Sequence, residues 1–385
     1  MASRRGCALM QLSAEFNRIR ETLATLSSTT KNDYVRITAV QEAVVFTTDD
    51  TQARWALQMP AEVTTAGEAY VPFKRLRAHF SAYDGGLTEI NLEPRALRLS
   101  HAGVRGTLPL IDPTLFPVSP KFAAERPVAK FTAEMPSFLT AVSGCLPCTG
   151  QRPGFEYTTG IQINTTHEDG FLVATDRAQA IQIQIRGNGN PLSFTVDAKQ
   201  LMHVASMAGD SVTIEYDGAR AKFRNEYFLA YLQTYQDNPP AIPVFLEELV
   251  KNSPCRTKIP SVFFIEALSL AGAVAGDRES FYSYLELGPE GCRLKANGEL
   301  ADEVDIDLHA TTPHSLKAYI NHITLLRCLR AFHKLKLCED SVELLHNGPR
   351  DPILILFTDD AKNRYAVSAI IPPQLEPPPE HNPPT

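Results

Sequence analysis

The stretch 71-VPFKRLRAHFSAYDGGLTEINLEPRALRLSHAGVRGTLPL-110 decides the fold, because its pattern returns twice further along the chain. The counterparts are 196-VDAKQLMHVASMAGDSVTIEYDGARAKFRNEYFLAYLQ-233 and 320-INHITLLRCLRAFHKLKLCEDSVELLHNGPRDPILILFT-358. Each opens on a strand end, continues as an amphipathic helix, turns at Gly or Asp, and closes on alternating strands. The copies start at Val71, Val196 and Ile320, 125 and 124 residues apart. Self-similarity at a fixed period is the signature of a repeated architecture.

The segments ahead of these copies match as well. LSAEFNRIRETLATLSS from Leu12, FTAEMPSFLTAVSGCLP from Phe131 and IPSVFFIEALSLAGAV from Ile259 each put a short strand before a helix. Each third therefore reads as strand, helix, strands, helix, strands, a doubled unit of α+β class. Boundaries fall at the Pro-rich stretches FPVSPKFAAERP and NPPAIPVFLEELVKNSPC. The expected domains are 10–125, 126–253 and 254–375, with residues 1–9 a loose extension and 376–385 a disordered Pro-rich tail.

The bulk composition fits two or three globular domains: 385 residues, 44% hydrophobic and 21% charged. A formal charge of −7 argues against capture of polyanions by the whole surface, though not by a local basic track. Seven cysteines, an odd number over a long chain, do not form a disulfide framework, so a reducing cytoplasm is the expected compartment. MASRRGCALMQLSAEF does not read as a signal peptide. VFFIEALSLAGAVAG is broken by Glu266 and too short to span a bilayer, so no membrane role is expected.

Positive charge concentrates on helices. In the first copy Phe73, Leu76 and Phe80 share an apolar face, while Lys74, Arg75 and Arg77 lie off it. In the last copy Leu325, Leu329 and Phe332 form the stripe and Arg327, Arg330 and Lys334 recur on one side, with Lys336 just beyond. Lys199 and His203 are the only basic members of the middle copy's helix. A single basic helix face is common and means little; repetition at matching positions points to a polyanion.

Other chemistry is thin. Cys145-Leu-Pro-Cys148 has redox or zinc-knuckle spacing, but without a second suitably spaced pair it reads as two ordinary thiols at a helix end. HExxH, GxxxxGK[ST] and GxGxxG motifs are absent, and RGNGNP reads as a turn between strands. Ten histidines lie scattered, and neither a metal nor a cofactor is expected. Asp176, at the end of the apolar run FLVAT, poses the sharpest choice between a catalytic carboxylate and a turn-forming one.

The threefold repeat resembles the bacterial DNA polymerase III beta subunit, the sliding clamp, over residues 10–375. LVATDRAQAIQI is similar to that family's ATDGHRLA-type segment, RGTLPLIDPTLFP to the close of its first domain, and YAVSAIIPPQL to its C-terminal strand and tail. The resemblance implies a clamp fold closed as a head-to-tail homodimeric ring, with helices lining the hole and antiparallel sheets outside. It implies a processivity factor without an active site, holding double-stranded DNA by phosphate contacts and binding polymerase and clamp loader through short peptides. Carried over by position, DNA contacts would come from Lys31, Lys74, Arg75, Arg77, Arg152, Tyr157, Lys199, Arg327, Arg330, Lys334 and Lys336. The peptide groove would use Thr158, Thr175, Arg177, Ala178, Ala180, Val244, Ile371, Pro372, Pro373 and Leu375. The dimer contact would pair Leu108 with Ala273 and Val274, small side chains that imply a ring opening readily. Asp176 then belongs to the turn beside the groove.

Departures stand out. Arg177-Ala178-Gln179-Ala180 replaces the family's Gly-His-Arg-Leu, and its Phe-Pro-Asp-Tyr-type segment has no clean counterpart. Ala180 in place of a leucine-sized wall should enlarge or flatten the pocket, each lost buried methylene being worth about 0.8 kcal/mol, and so alter partner preference. The competing reading is a clamp-fold interaction scaffold, or an enzyme, that does not encircle DNA.

Overall fold

The computed structural model describes residues 10–29, 32–50, 52–81, 85–116, 129–134, 137–150, 154–167, 169–209, 211–237, 240–275, 282–297, 303–334, 340–348, 351–358 and 364–370. The expected extension 1–9 and tail 376–385 lie outside them. The chain begins with β1 (Met10–Glu15), α1 (Phe16–Thr29), β2 (Tyr34–Val40), β3 (Ala43–Asp49), β4 (Ala53–Pro60), β5 (Glu62–Thr65) and β6 (Gly67–Pro72). After these come α2 (Phe73–Ser81), β7 (Leu87–Glu93), β8 (Ala96–His101) and β9 (Val104–Pro109). It continues with β10 (Ala129–Glu134), α3 (Ser137–Cys145), β11 (Gly160–Thr165), β12 (Asp169–Thr175), β13 (Gln179–Gly189) and β14 (Ser193–Asp197). Next are α4 (Ala198–Met207), β15 (Ser211–Tyr216), β16 (Arg220–Arg224), β17 (Phe228–Gln233) and α5 (Ile242–Asn252). The last stretch holds β18 (Cys255–Pro260), α6 (Ser261–Ala275), β19 (Ser283–Leu287), β20 (Arg293–Asn297), β21 (Glu303–Asp307) and β22 (Leu316–Ile320). It ends with α7 (His322–Lys334), β23 (Ser341–His346), β24 (Ile353–Thr358) and β25 (Arg364–Ile370).

Two compact units form: Met1–Met135 with Lys199–Thr234, and Pro136–Ala198 with Tyr235–Thr385. In the first, β1-β7-β8-β9 make one antiparallel sheet, with β5 on the far side of β1. A second sheet runs β6-β2-β3-β4-β17-β16-β15-β10. Strict alternation along β1 buries Met10, Leu12 and Ala14 on one face, the period-2 pattern of a half-covered strand. Helix α1 buries Phe16, Ile19, Leu23 and Leu26, and α2 buries Phe73, Leu76 and Phe80, spacings that keep one stripe inward. The two helices meet where the Phe16 and Phe80 rings lie 5.0 Å apart. Trp55 on β4 is fully buried, and His203 of α4 meets it edge-on at 6.4 Å. Full burial of each such large side chain contributes about 1.5–3 kcal/mol.

In the second unit the long sheet runs β14-β11-β12-β13-β25-β24-β23-β18, and a four-stranded sheet runs β21-β20-β19-β22. The same wiring is thus used repeatedly. The strand before a first helix pairs with the strands after the second helix, as in β1-β7-β8-β9 and β18-β23-β24-β25. The strands between the helices form the other four, as in β6-β2-β3-β4 and β22-β19-β20-β21. Two such sets join side by side twice: β4 with β17 (Trp55 opposite Ala230) and β13 with β25 (Ile181 opposite Ser368), both antiparallel.

Helices α6 and α7 pack closely, with Gly272 of α6 at the contact. A Cβ on Gly272 would lie 3.3 Å from the His322 ring. Two sequence expectations need adjustment. The Pro-rich boundary NPPAIPVFLEELVKNSPC contains helix α5, whose Ile242, Leu246 and Val250 are buried at i, i+4, i+8. Arg186–Gly189 of RGNGNP belong to strand β13 rather than to a turn, because pairing with β12 continues to Arg186 opposite Asp169.

Candidate partner groove and basic helices

Between β12 and β13 the chain reverses at Thr175–Ala180, and side chains rather than glycine shape the turn. The Asp176 carboxylate accepts the backbone N–H groups of Ala178 and Gln179 through Oδ1, at 2.9 and 2.8 Å. Thr175 Oγ1 donates to the Gln179 carbonyl at 2.7 Å and accepts the Arg177 N–H at 3.0 Å. Asp176 is therefore a turn-former, its Oδ1 occupied by the backbone it organises. Arg177 takes φ = 75°, a left-handed conformation that costs a non-glycine residue about 1–2 kcal/mol.

Gln179 carries the inward contacts. Its side chain is 4% exposed. Its amide donates to the Pro147 carbonyl at 2.9 Å and to Asp176 Oδ2 at 3.3 Å, and its Oε1 accepts the Cys328 thiol at 3.4 Å. Cys328, on α7, also lies 3.6 Å from Cys148. The hydrogen bond to Cys328, together with burial, pushes the Cys148 thiol well up, and burial pushes Cys145 up. These thiols stay protonated and unreactive. Among the described residues no group of three or more His, Cys, Asp or Glu side chains is arranged to hold a metal ion.

Thr158 is buried in a short 3-10 turn, Glu156–Thr159, where its hydroxyl donates to the Phe155 carbonyl at 2.7 Å. The guanidinium of Arg177 lies over the Phe155 ring at 4.1 Å, and Phe155 meets Tyr157 edge-on at 6.0 Å. Ala178 is exposed. Ala180 sits at the edge of a cluster with Val173, Ile242, Leu246, Leu354 and Leu356. Two large apolar side chains remain outside, Val244 (56% exposed) and Phe245 (43%), both on α5. Ile371, Pro372, Pro373 and Leu375 lie outside the described residues; β25, which precedes them, ends with Ile370 opposite Gln179 at this turn. Thr175, Arg177, Ala178 and Ala180 share this turn, Arg177 reaches Phe155 beside Thr158, and Val244 is exposed on α5, whose Ile242, Leu246 and Val250 belong to the same buried cluster as Ala180. Sequence reasoning missed Phe155 and Gln179; for α5 the helical spacing of its apolar residues was the available signal.

On α2, Lys74, Arg75 and Arg77 are all exposed, and Lys74 Nζ pairs with Asp33 at 2.9 Å. On α7, Arg327 and Arg330 are exposed while Leu325, Cys328 and Leu329 are buried; Arg330 also donates to Ser269 of α6 at 2.8 Å. Lys199 is exposed on α4, and Tyr157 is half-buried. Helices α2, α4 and α7 contain no acidic residue. Lys334 closes α7, and Lys31, Arg152 and Lys336 lie outside the described residues. Leu108 on β9 is buried within its own chain, and Ala273 and Val274 on α6 are exposed and half-buried.

No family model and no curated protein matches the sequence. Solved structures do. The DNA polymerase III subunit beta from Pseudomonas aeruginosa is 14% identical, with a TM-score of 0.84. The C. crescentus beta sliding clamp is 14% identical with a TM-score of 0.82, and the Helicobacter pylori beta clamp, solved with 3,4-difluorobenzamide, is 16% identical with a TM-score of 0.82. Each match covers 95% of this chain and 100% of the other. The chain is a divergent structural match to the bacterial DNA polymerase III beta sliding clamps and has their α+β fold.

Proposed function

We propose that the protein is a DNA sliding clamp: a ring-shaped homodimer of three-domain subunits (10–125, 126–253 and 254–375) that encircles duplex DNA and tethers a replicative polymerase. The observation that carries this reading is the sheet wiring. In each compact unit, the last strand of a four-stranded set joins the outer strand of another, β17 to β4 and β25 to β13. Strands β9 and β21 hold the equivalent places, and among the described strands each is paired on one side only. Pairing β9 of one copy with β21 of the next extends the rule and closes two copies head to tail. Charge agrees: β9 exposes Arg105, and β21 exposes Glu303, Asp305 and Asp307.

In this reading the acid-free helices supply phosphate contacts through Arg75, Arg77, Lys199, Arg327 and Arg330, with no base readout. The Thr175–Ala180 turn with α5 receives polymerase and loader peptides, and the protein carries no active site of its own. The working compartment is the cytoplasm; no helix among the described residues is long and apolar enough to cross a membrane. One observation favours the alternative of a clamp-fold scaffold or enzyme that does not encircle DNA: Lys74 and Arg330 spend part of their donor capacity within the chain. Loading onto nicked circular DNA separates the two. A ring is retained on the circle and lost when it is linearised; equal retention on both forms, or a monomeric native mass at micromolar concentration, refutes the clamp.

A further inference from the structure

Arg177 combines three features that turn formation does not require. Its backbone is held at φ = 75°, where glycine is the unstrained choice. Its guanidinium lies over the Phe155 ring, which Tyr157 meets edge-on. The residue is nevertheless exposed. A guanidinium held over a ring can keep its in-plane N–H donors available for a planar two-oxygen acceptor. The adjacent acid does not fill that role, because Asp176 is engaged with Ala178 and Gln179. Among the described residues no carboxylate forms a salt bridge with Arg177. Strain kept at an exposed position marks a side chain with a use there.

We propose that Arg177 makes this groove a receptor for acidic peptides: it grips an Asp or Glu side chain of a partner segment whose apolar residues seat against α5. The inference rests on the peptide-groove reading above and adds the chemistry of the occupant. Charge and exposed apolar surface are carried by neighbouring elements: Ala180, three residues beyond Arg177 on β13, belongs to the same buried cluster as Ile242 and Leu246 of α5, the helix that exposes Val244 and Phe245 and contacts β13. A peptide with apolar anchors alone leaves the oriented guanidinium without a counter-ion, and one with a basic flank is repelled.

The test is fluorescence anisotropy on the full chain with two labelled decapeptides. Each has two leucines and one phenylalanine as anchors, and they differ only in Glu or Gln between the anchors. The Glu peptide is expected to bind about five- to tenfold more tightly, a charge-assisted hydrogen bond at a partly exposed site. In Arg177→Gly, which relaxes the backbone and removes the guanidinium, the two affinities should converge within about twofold. Arg177→Lys keeps the charge without the fork and should retain only a fraction of the preference. Equal binding of both peptides to the unaltered protein, unchanged in Arg177→Gly, overturns the carboxylate assignment and leaves the groove standing. If neither peptide binds, the groove reading falls and this inference with it. If deleting residues 376–385, which contain Glu376 and Glu380, tightens both peptides equally, the chain's own tail is the occupant and the proposal is wrong.

Discussion

The role given to α7 can be tested through salt. Arg327 and Arg330 are exposed, while Cys328 and Leu329 between them are buried, so both guanidinium groups leave the helix on its outer side. Alanine at both positions keeps helix propensity, so α7 should persist. Each phosphate neutralised on duplex DNA adds about 0.9 to the slope of log K against log salt. In the proposed dimer, two arginines in each subunit make up to four such contacts, so the double variant should flatten that slope by up to about 3.6. Over a fourfold rise in salt this is about a hundredfold in relative affinity. Arg327→Ala alone should remove about half of it, since Arg330 divides its donors between Ser269 and solvent. The assay is anisotropy of a short labelled duplex titrated with protein at several salt concentrations. Lys295→Ala serves as control, because that lysine is paired with Glu286 and Asp305 on the four-stranded sheet. Parallel slopes for the unaltered chain and the double variant would refute the assignment of α7 to DNA, even if absolute affinity fell.

Two further outcomes concern stability. Asp49, at the end of β3, is buried with Arg54 Nε 3.6 Å from an oxygen that has no hydrogen-bond partner. Burial raises its pKa to about 6, against the attraction of Arg54. The folded chain therefore holds a proton that the unfolded chain has released, and stability should fall as pH rises from about 4 to about 6 and level off above. Asp49→Asn should remove that slope and raise stability at pH 8 by about 3 kcal/mol, read from urea midpoints. A variant no more stable than its parent at pH 8 would show the carboxylate to be well solvated or paired. At Gly160, beside Thr158, an added Cβ would meet the Val196 carbonyl at 2.8 Å and Thr195 Cγ2 at 2.7 Å. That carbonyl belongs to paired β14 and has little room to move, so Gly160→Ala should cost about 1–3 kcal/mol. An unchanged urea midpoint would contradict the packing.

What the sequence could reveal follows from the range of each interaction. The inward faces of α2 and α7 were legible because Phe73, Leu76 and Phe80, or Leu325 and Leu329, repeat within a few residues, and helical period is a local signal. Asp176 was legible as a turn residue for the same reason, the donors to its carboxylate being the N–H groups two and three residues on. Helix α5 carries an equally regular spacing, but it lies among prolines; Pro243 in its first turn opens a helix as readily as it ends a domain. Gln179 had no local signal. A polar residue in a turn reads as exposed, yet its partners come from Pro147 and from Cys328, 149 residues away. Cys148 likewise meets Cys328 across 180 residues, so its nearest thiol in space is not its CxxC neighbour alone. Chemistry at this turn is thus decided by contacts that no short window contains. The same holds for Arg177: its charge is plain in the sequence, but the ring that orients it is 22 positions upstream, and only folding brings Phe155 beneath it.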